Sequence, residues 1–125
     1  MIRTKIGIML GLFIIVFSSA AWAESTKKTV EGVYKEKAQL QGKQVQVRGK
    51  VVKVNNGIMK RNFLHIQDGS GSQGTNDLIV TSKQTAKVGD EITITGTVVL
   101  DTDFGFGYKY PLLVEQSTIE KHSAK

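Results

Sequence analysis

"QVQVRGKVVKVNN", residues 44–56, carries two alternations of opposite phase joined by a glycine. Val45 and Val47 point one way against Gln44, Gln46 and Arg48; beyond Gly49-Lys50 the apolar phase passes to Val52 and Val54. Successive strand side chains alternate between faces, so a phase change at glycine predicts a bulge or a sharp bend. A strand bent in this way pairs with different neighbours at its two ends, which is how a small sheet closes on itself.

Downstream, the period of two persists. "NFLHIQDGSG" (62–71) reads as a second strand with Leu64 and Ile66 on one face and Phe63, His65 and Gln67 on the other. "NDLIVTS" (76–82) is the third, and "KQTAKVGD" (83–90) is a short connection ending in a Val88-Gly89-Asp90 turn. "EITITGTVVL" (91–100) is the fourth, with Ile92, Ile94 and Val98 inward and Thr93, Thr95 and Thr97 outward. "YPLLVEQSTIEK" (110–121) is the fifth, opening on Pro111, the only proline, which suits an edge or a first strand residue. Upstream, Val30, Val33, Tyr34, Ala38 and Leu40 approximate helical spacing. They predict one short helix from Thr29 to Leu40, with Thr29 as a cap and Gly42 as its stop. One helix followed by five strands predicts an all-β chain, and the glycine bend favours a five-stranded Greek-key barrel of the OB-fold kind over a sandwich.

The first residues stand apart. Arg3 and Lys5, the apolar run Ile6–Phe17 and Ala21-Trp22-Ala23 have the layout of a cleaved secretory signal. The run is short for a membrane span of about 20 residues. The expected divisions are residues 1–23 as signal peptide, 24–42 as polar start and helix, 43–121 as the barrel, and 122–125 as tail. Export to the periplasm or outside the cell is expected, with no stable membrane insertion after cleavage. Losing Arg3 and Lys5 takes the formal charge from +6 to +4, too small a value by itself to announce nucleic acid. With no cysteine there is no disulfide, thiolate metal site or C-x-x-C-H haem attachment, and stability rests on packing.

"VQVRGKVVKV", "FLHIQDGSG", "DLIVTS" and "VGDEITITGTVV", in that order, resemble the nucleic-acid-binding OB-folds of the tRNA-anticodon type over Lys43–Lys121. With its signal peptide, leading helix and "DFGFGY" ribbon, the chain is similar to small exported bacterial OB-fold proteins. Some of these resemble accessory proteins encoded with periplasmic multihaem nitrite reductases. The resemblance implies that Phe63, opening the second strand, stacks on a base. The helix usual between strands three and four is reduced here to "KQTAKVGD", which leaves the barrel bottom to another element, with the N-terminal helix as candidate.

In such a barrel the ligand lies across strands one to three, between the loops L12 and L45. L12 is "NNGIMKRN" (55–62), where Asn56-Gly57 signals a tight turn and Lys60-Arg61 stand just before Phe63. A basic pair beside an aromatic suits a phosphate and its base. L45 is the ribbon "DFGFGYKYP" (103–111), holding four of the nine aromatic residues at every second position. Phe104 and Phe106 are expected to roof the barrel, and Tyr108 and Tyr110 to stay at the surface, with Lys109 on the opposite side of the ribbon. Two readings of Phe63 stay open: a stacking platform, or a ring packed under the ribbon. The candidate ligand-binding residues are Lys60, Arg61, Phe63, His65, Gln67, Tyr108, Lys109 and Tyr110.

"GSGSQG" (69–74) matches G-x-G-x-x-G literally, but a strand rather than a phosphate-binding helix follows, so it reads as a loop. His65 and His122 are far apart, and no acids or histidines have metal-ligand spacing. The expectation is a monomeric, non-catalytic binding module without cofactor or metal. Its partner is single-stranded nucleic acid or another anionic polymer. The alternative is an accessory factor docking on a periplasmic protein of the nitrite-reductase type.

Overall fold

A computed structural model of the protein describes residues 25–123, so the expected signal segment lies outside the described residues. The barrel strands are β1 (Gln44–Ile58), β2 (Arg61–Gln67), β3 (Leu78–Ser82), β4 (Glu91–Asp103) and β5 (Lys109–His122). β1 is long enough to serve two neighbours. Gln44 to Lys50 pair antiparallel with β4, and Lys50 to Ile58 pair antiparallel with β2. β2 pairs antiparallel with β3, β3 parallel with β5, and β5 antiparallel with β4. The circuit β1-β2-β3-β5-β4 returns to β1, which is the closed five-stranded OB-fold. A further two-residue strand, Thr26–Lys27, lies parallel to β1 beside Val45 and Gln46.

The phase change falls later than the sequence suggests. Val45, Val47, Gly49 and Val51 are all buried, so the first alternation runs straight through Gly49. The break is a bulge between Val51 and Lys53, where Val52 turns outward. Two adjacent valines hid it, because either can be read as the inward one. Gly49 has a different task. A side chain there would place Cβ 2.9 Å from the Gln67 carbonyl oxygen, at the point where β1 passes from β4 to β2. The strands converge too closely for anything but glycine.

The N-terminal segment folds as α1 (Val30–Lys35) and α2 (Lys37–Leu40), parted at Glu36 rather than continuous. Thr29 caps α1 by accepting from the Gly32 amide at 2.9 Å. Val30, Val33 and Leu40 enter the barrel core. The β2–β3 loop holds the helix: the Val30 amide donates to Asp68 Oδ2 (3.0 Å), the Glu31 amide to Ser70 Oγ (2.9 Å), and the Tyr34 hydroxyl to the Asp77 carbonyl (2.5 Å). The loop that carries the literal glycine motif thus works as a helix clasp through Asp68, Ser70 and Asp77, with β3 following it. The helices therefore close the end where β2 finishes and β3 begins. The short 83–90 connection lies at the other end and closes it with the buried Ala86. The N-terminal helices are thus held at the β2–β3 end, while Ala86 of the 83–90 connection joins the core from the end where β3 finishes.

Burial alone would raise the Asp68 carboxyl, but hydrogen bonds from Ser70 and the Val30 amide outweigh it and hold the pKa below the ordinary 3.8. A carboxyl depressed on folding contributes stability that is fully present above its unfolded value. That contribution is lost as pH falls through the lower folded one. Unfolding midpoints should therefore fall more steeply below about pH 4 in the wild type than in Asp68→Ala, the two curves converging in acid. Parallel curves across that window would remove the carboxylate's charge from the account.

Candidate functional site

Asn56-Gly57 is not the turn of L12. β1 continues three residues further and reverses at Met59-Lys60, with Ile58 opposite Arg61. Met59 (φ 52°) and Lys60 (φ 65°) are both left-handed, the geometry of a two-residue type I′ hairpin. Each costs roughly 1–2 kcal/mol because neither is glycine. Gly57 sits in a second irregularity of β1, its amide donating to Asn62 Oδ1 at 2.9 Å, while Asn62 Nδ2 donates to the Gln84 carbonyl at 3.0 Å. The strongest turn signal in the sequence therefore marks a bulge.

The faces of β2 fall as the alternation requires. Leu64 and Ile66 join the barrel core; Phe63, His65 and Gln67 face outward. Phe63 is nevertheless only 3% exposed and stands outside the barrel core cluster, as does the buried Leu113 of β5. It is covered from without: Tyr110 stacks on it at 5.5 Å between ring centroids, and Phe104 meets it edge-on at 5.9 Å. Of the two readings of Phe63, the structure has the ring packed under L45.

L45 itself is a tight loop rather than a ribbon. β4 ends at Asp103 and β5 begins at Lys109. Between them the Phe104 amide donates to the Tyr108 carbonyl (2.8 Å), and the Tyr108 amide to the Gly105 carbonyl (2.9 Å). Gly105, Phe106 and Gly107 are left-handed in succession, so strand alternation does not apply. The expected division, phenylalanines packed and tyrosines exposed, is corrected to one of each. Phe104 and Tyr110, at the base of the hairpin, fold onto Phe63. Phe106, at its tip, is 95% exposed, and Tyr108 is 38% exposed. Burial, followed by the charge of Tyr108, raises the Tyr110 hydroxyl pKa.

L12 and L45 meet at Arg61. Its guanidinium lies 4.7 Å from the Phe104 ring centroid, and its Nε lies 3.6 Å from Glu115 Oε2, which also accepts from Thr81 Oγ1 at 2.9 Å. Arg61, Phe63 and Tyr110 thus form one cluster that ties the two hairpins together across the outer face of β2, β3 and β5. Further along β2, His65 Nδ1 lies 2.6 Å from Asp77 Oδ2, and Gln67 Nε2 donates to Asp77 Oδ1 at 3.2 Å. Lys60 is exposed in the L12 turn, and Lys109 is exposed on β5 opposite Asp103.

The register adds residues that the sequence reading passed over. The Val51–Lys53 bulge turns Lys53 outward, directly across from His65, and Lys50 lies across from Gln67. Residues directly opposite share a face. This outer face carries two acids, both occupied: Asp77 by His65 and Gln67, Glu115 by Arg61 and Thr81. Among the described residues, Lys50, Lys53, Lys60 and Lys83 form no ion pair within 4.0 Å. No local motif signals Lys50 or Lys53, because their orientation is set by the bulge. The described residues also hold no cluster of three metal-ligating side chains. The site offers free ammonium groups, two exposed rings and fixed polar edges.

The strand circuit and its clasped pair of hairpins define an OB-fold protein. The barrel superposes with a TM-score of 0.56 on a chain assigned as an aspartyl-tRNA synthetase from Leishmania major Friedlin, at 14% identity over 82% of this chain and 22% of that one. It superposes with a TM-score of 0.55 on Entamoeba histolytica asparaginyl-tRNA synthetase in complex with asparaginyl-adenylate, at 13% identity over 82% of this chain and 25% of that one. The chain spans a quarter or less of those proteins, and the likeness is one of fold. No protein-family model and no curated protein matches it.

Proposed function

We propose that the protein is a non-catalytic module that binds an extended polyanion, single-stranded nucleic acid by preference, along the outer face of β1–β3 between L12 and L45. One observation carries this reading: the acids of that face are engaged by neighbouring side chains, Asp77 by hydrogen bonds and Glu115 by Arg61, while Lys50, Lys53 and Lys60 form no ion pair along it. Backbone phosphates would follow the lysines, and bases would stack on Tyr108 and Phe106, the two rings that L45 leaves free. Phe63, Phe104 and Tyr110 anchor the base of the L45 hairpin that carries them. Base stacking tolerates any sequence because every base has a π face, so little sequence preference is expected.

Affinity for an oligothymidylate should fall with a log–log salt slope of about 0.7 per contacted phosphate. The Phe106→Ala/Tyr108→Ala variant should lose about 1–3 kcal/mol of binding per base released. Its melting temperature should stay close to the wild type's, since Phe106 touches almost nothing. Fluorescence anisotropy across a salt series, with thermal melts alongside, measures both. Binding that ignores salt but vanishes with the two rings would instead favour a second reading, a protein-docking module anchored on the 95% exposed Phe106.

A further inference from the structure

We infer that the pocket beside the L12 turn, between β3 and β5, is a seat for one phosphate group of the ligand. This deepens the polyanion reading and rests on it for the ligand's identity. The pocket has a volume of about 90 Å³ and is lined by Lys60, Arg61, Thr81, Ser82, Lys83 and Gln116, with no acidic side chain in its wall. Three basic residues line it, from L12 and the residue that follows β3. Arg61 is held by Glu115 and Phe104, which leaves Lys60 and Lys83 as the free charges. Glu115 answers Arg61 only, so an oxyanion seated here would find Lys60 and Lys83 without an ion-pair partner of their own.

The backbone points the same way. Lys60 lines the pocket from a turn in which Met59 and Lys60 both adopt left-handed conformations that asparagine and glycine would take more readily. Opposite them, Gln116 is also left-handed (φ 54°), at the irregularity where β5 shifts its register against β3. Strained non-glycine residues on both sides of one small basic pocket are the pattern of a site where stability has been given up for function. The larger groove of about 410 Å³ that continues over Ser117 and Thr118 shares Ser82, Lys83 and Gln116 with this pocket. It extends the path of the chain past L12.

Two probes test the seat, inorganic phosphate and an oligothymidylate, with amide shifts of Lys60, Lys83 and Gln116 as the readout. Phosphate alone should shift these amides at millimolar concentration, and Lys83→Gln should reduce those shifts severalfold where Lys87→Gln does not. In oligothymidylate titrations, Lys83→Gln should lower the salt slope by about 0.7, the loss of one phosphate contact. Met59→Asn should melt higher with unchanged affinity. Met59→Asn/Lys60→Gly should also melt higher yet lose affinity severalfold. Phosphate shifts without any oligothymidylate binding would keep the seat and overturn the nucleic-acid reading. Oligothymidylate binding with unmoved pocket amides, or undiminished affinity in the double variant, would overturn the seat.

Discussion

Phe63→Ala should cost about 3–5 kcal/mol, as much as removing a ring from the barrel interior, although Phe63 lies on the outer face. The ring is 3% exposed, stacked by Tyr110 and met edge-on by Phe104. Truncation empties the space beneath L45 and strips Phe104 and Tyr110 of their shared contact. Arg61 then loses the geometry that holds it over Phe104. Chemical denaturation should show the midpoint falling while Phe106→Ala stays within about 0.5 kcal/mol of wild type, as expected for an exposed residue without partners. A Phe63→Ala loss below about 1 kcal/mol would mean that L45 does not rest on this ring.

Gly96 in β4 should be the least tolerant glycine of the barrel. A Cβ there would collide with Ser117 Oγ and stand 2.8 Å from both the Glu115 carbonyl oxygen and Val114 Cγ1. All three atoms belong to the neighbouring strand β5, and the carbonyl cannot swing away without breaking the β4–β5 ladder, whose register shifts between Thr95 and Thr97. Gly96→Ala should therefore cost at least the roughly 1–3 kcal/mol of an overpacked core, and Gly96→Val more. Gly49→Ala meets one atom closer than 3.0 Å, the Gln67 oxygen at 2.9 Å, and should fall below it. The ranking is checked by denaturant midpoints of the three variants; Gly49→Ala proving the most damaging would reverse the account of where the barrel is tightest.

These cases show what the sequence could convey. The strands of period two were legible because each face of β2 and β4 meets one environment throughout, core or exterior. The class of fold followed from their number and spacing. What escaped was everything decided by a local break in that period. The alternation points to Gly49 and the bulge lies at Val52, because glycine is visible and a valine pair is ambiguous. L45 kept an aromatic alternation that three left-handed residues make irrelevant, so Phe106 and Tyr110 exchanged their expected places. Asn56-Gly57 carried the better turn chemistry and lost to Met59-Lys60, since the register of β1 against β2 decided where the chain reverses. Of the candidate residues, Phe63 and Tyr110 stack directly, and Arg61 joins them through Phe104. Lys50, Lys53, Lys83, Asp77 and Glu115 had no signal, because pairing across strands is written in three dimensions only.

The double role of β1 has a kinetic side. β4 and β5 are consecutive and joined by a short hairpin, so their ladder can zip locally from Asp103 and Lys109 toward Glu91 and His122. β1 and β2 form another local hairpin through Met59-Lys60. The pairing of Gln44–Lys50 with Glu91–Thr97 joins segments separated by the whole of β2 and β3, and loop-closure entropy must be met before that contact rewards it. Barrel closure is therefore the late event, and the chain should fold more slowly than a helical domain of its length. Substitutions along the β1–β4 seam should mainly speed unfolding, whereas those within the β4–β5 hairpin should slow folding. Chevron analysis of Val47→Ala and Ile119→Val separates the two limbs, and a slowed refolding limb for Val47→Ala would place the seam in the nucleus instead.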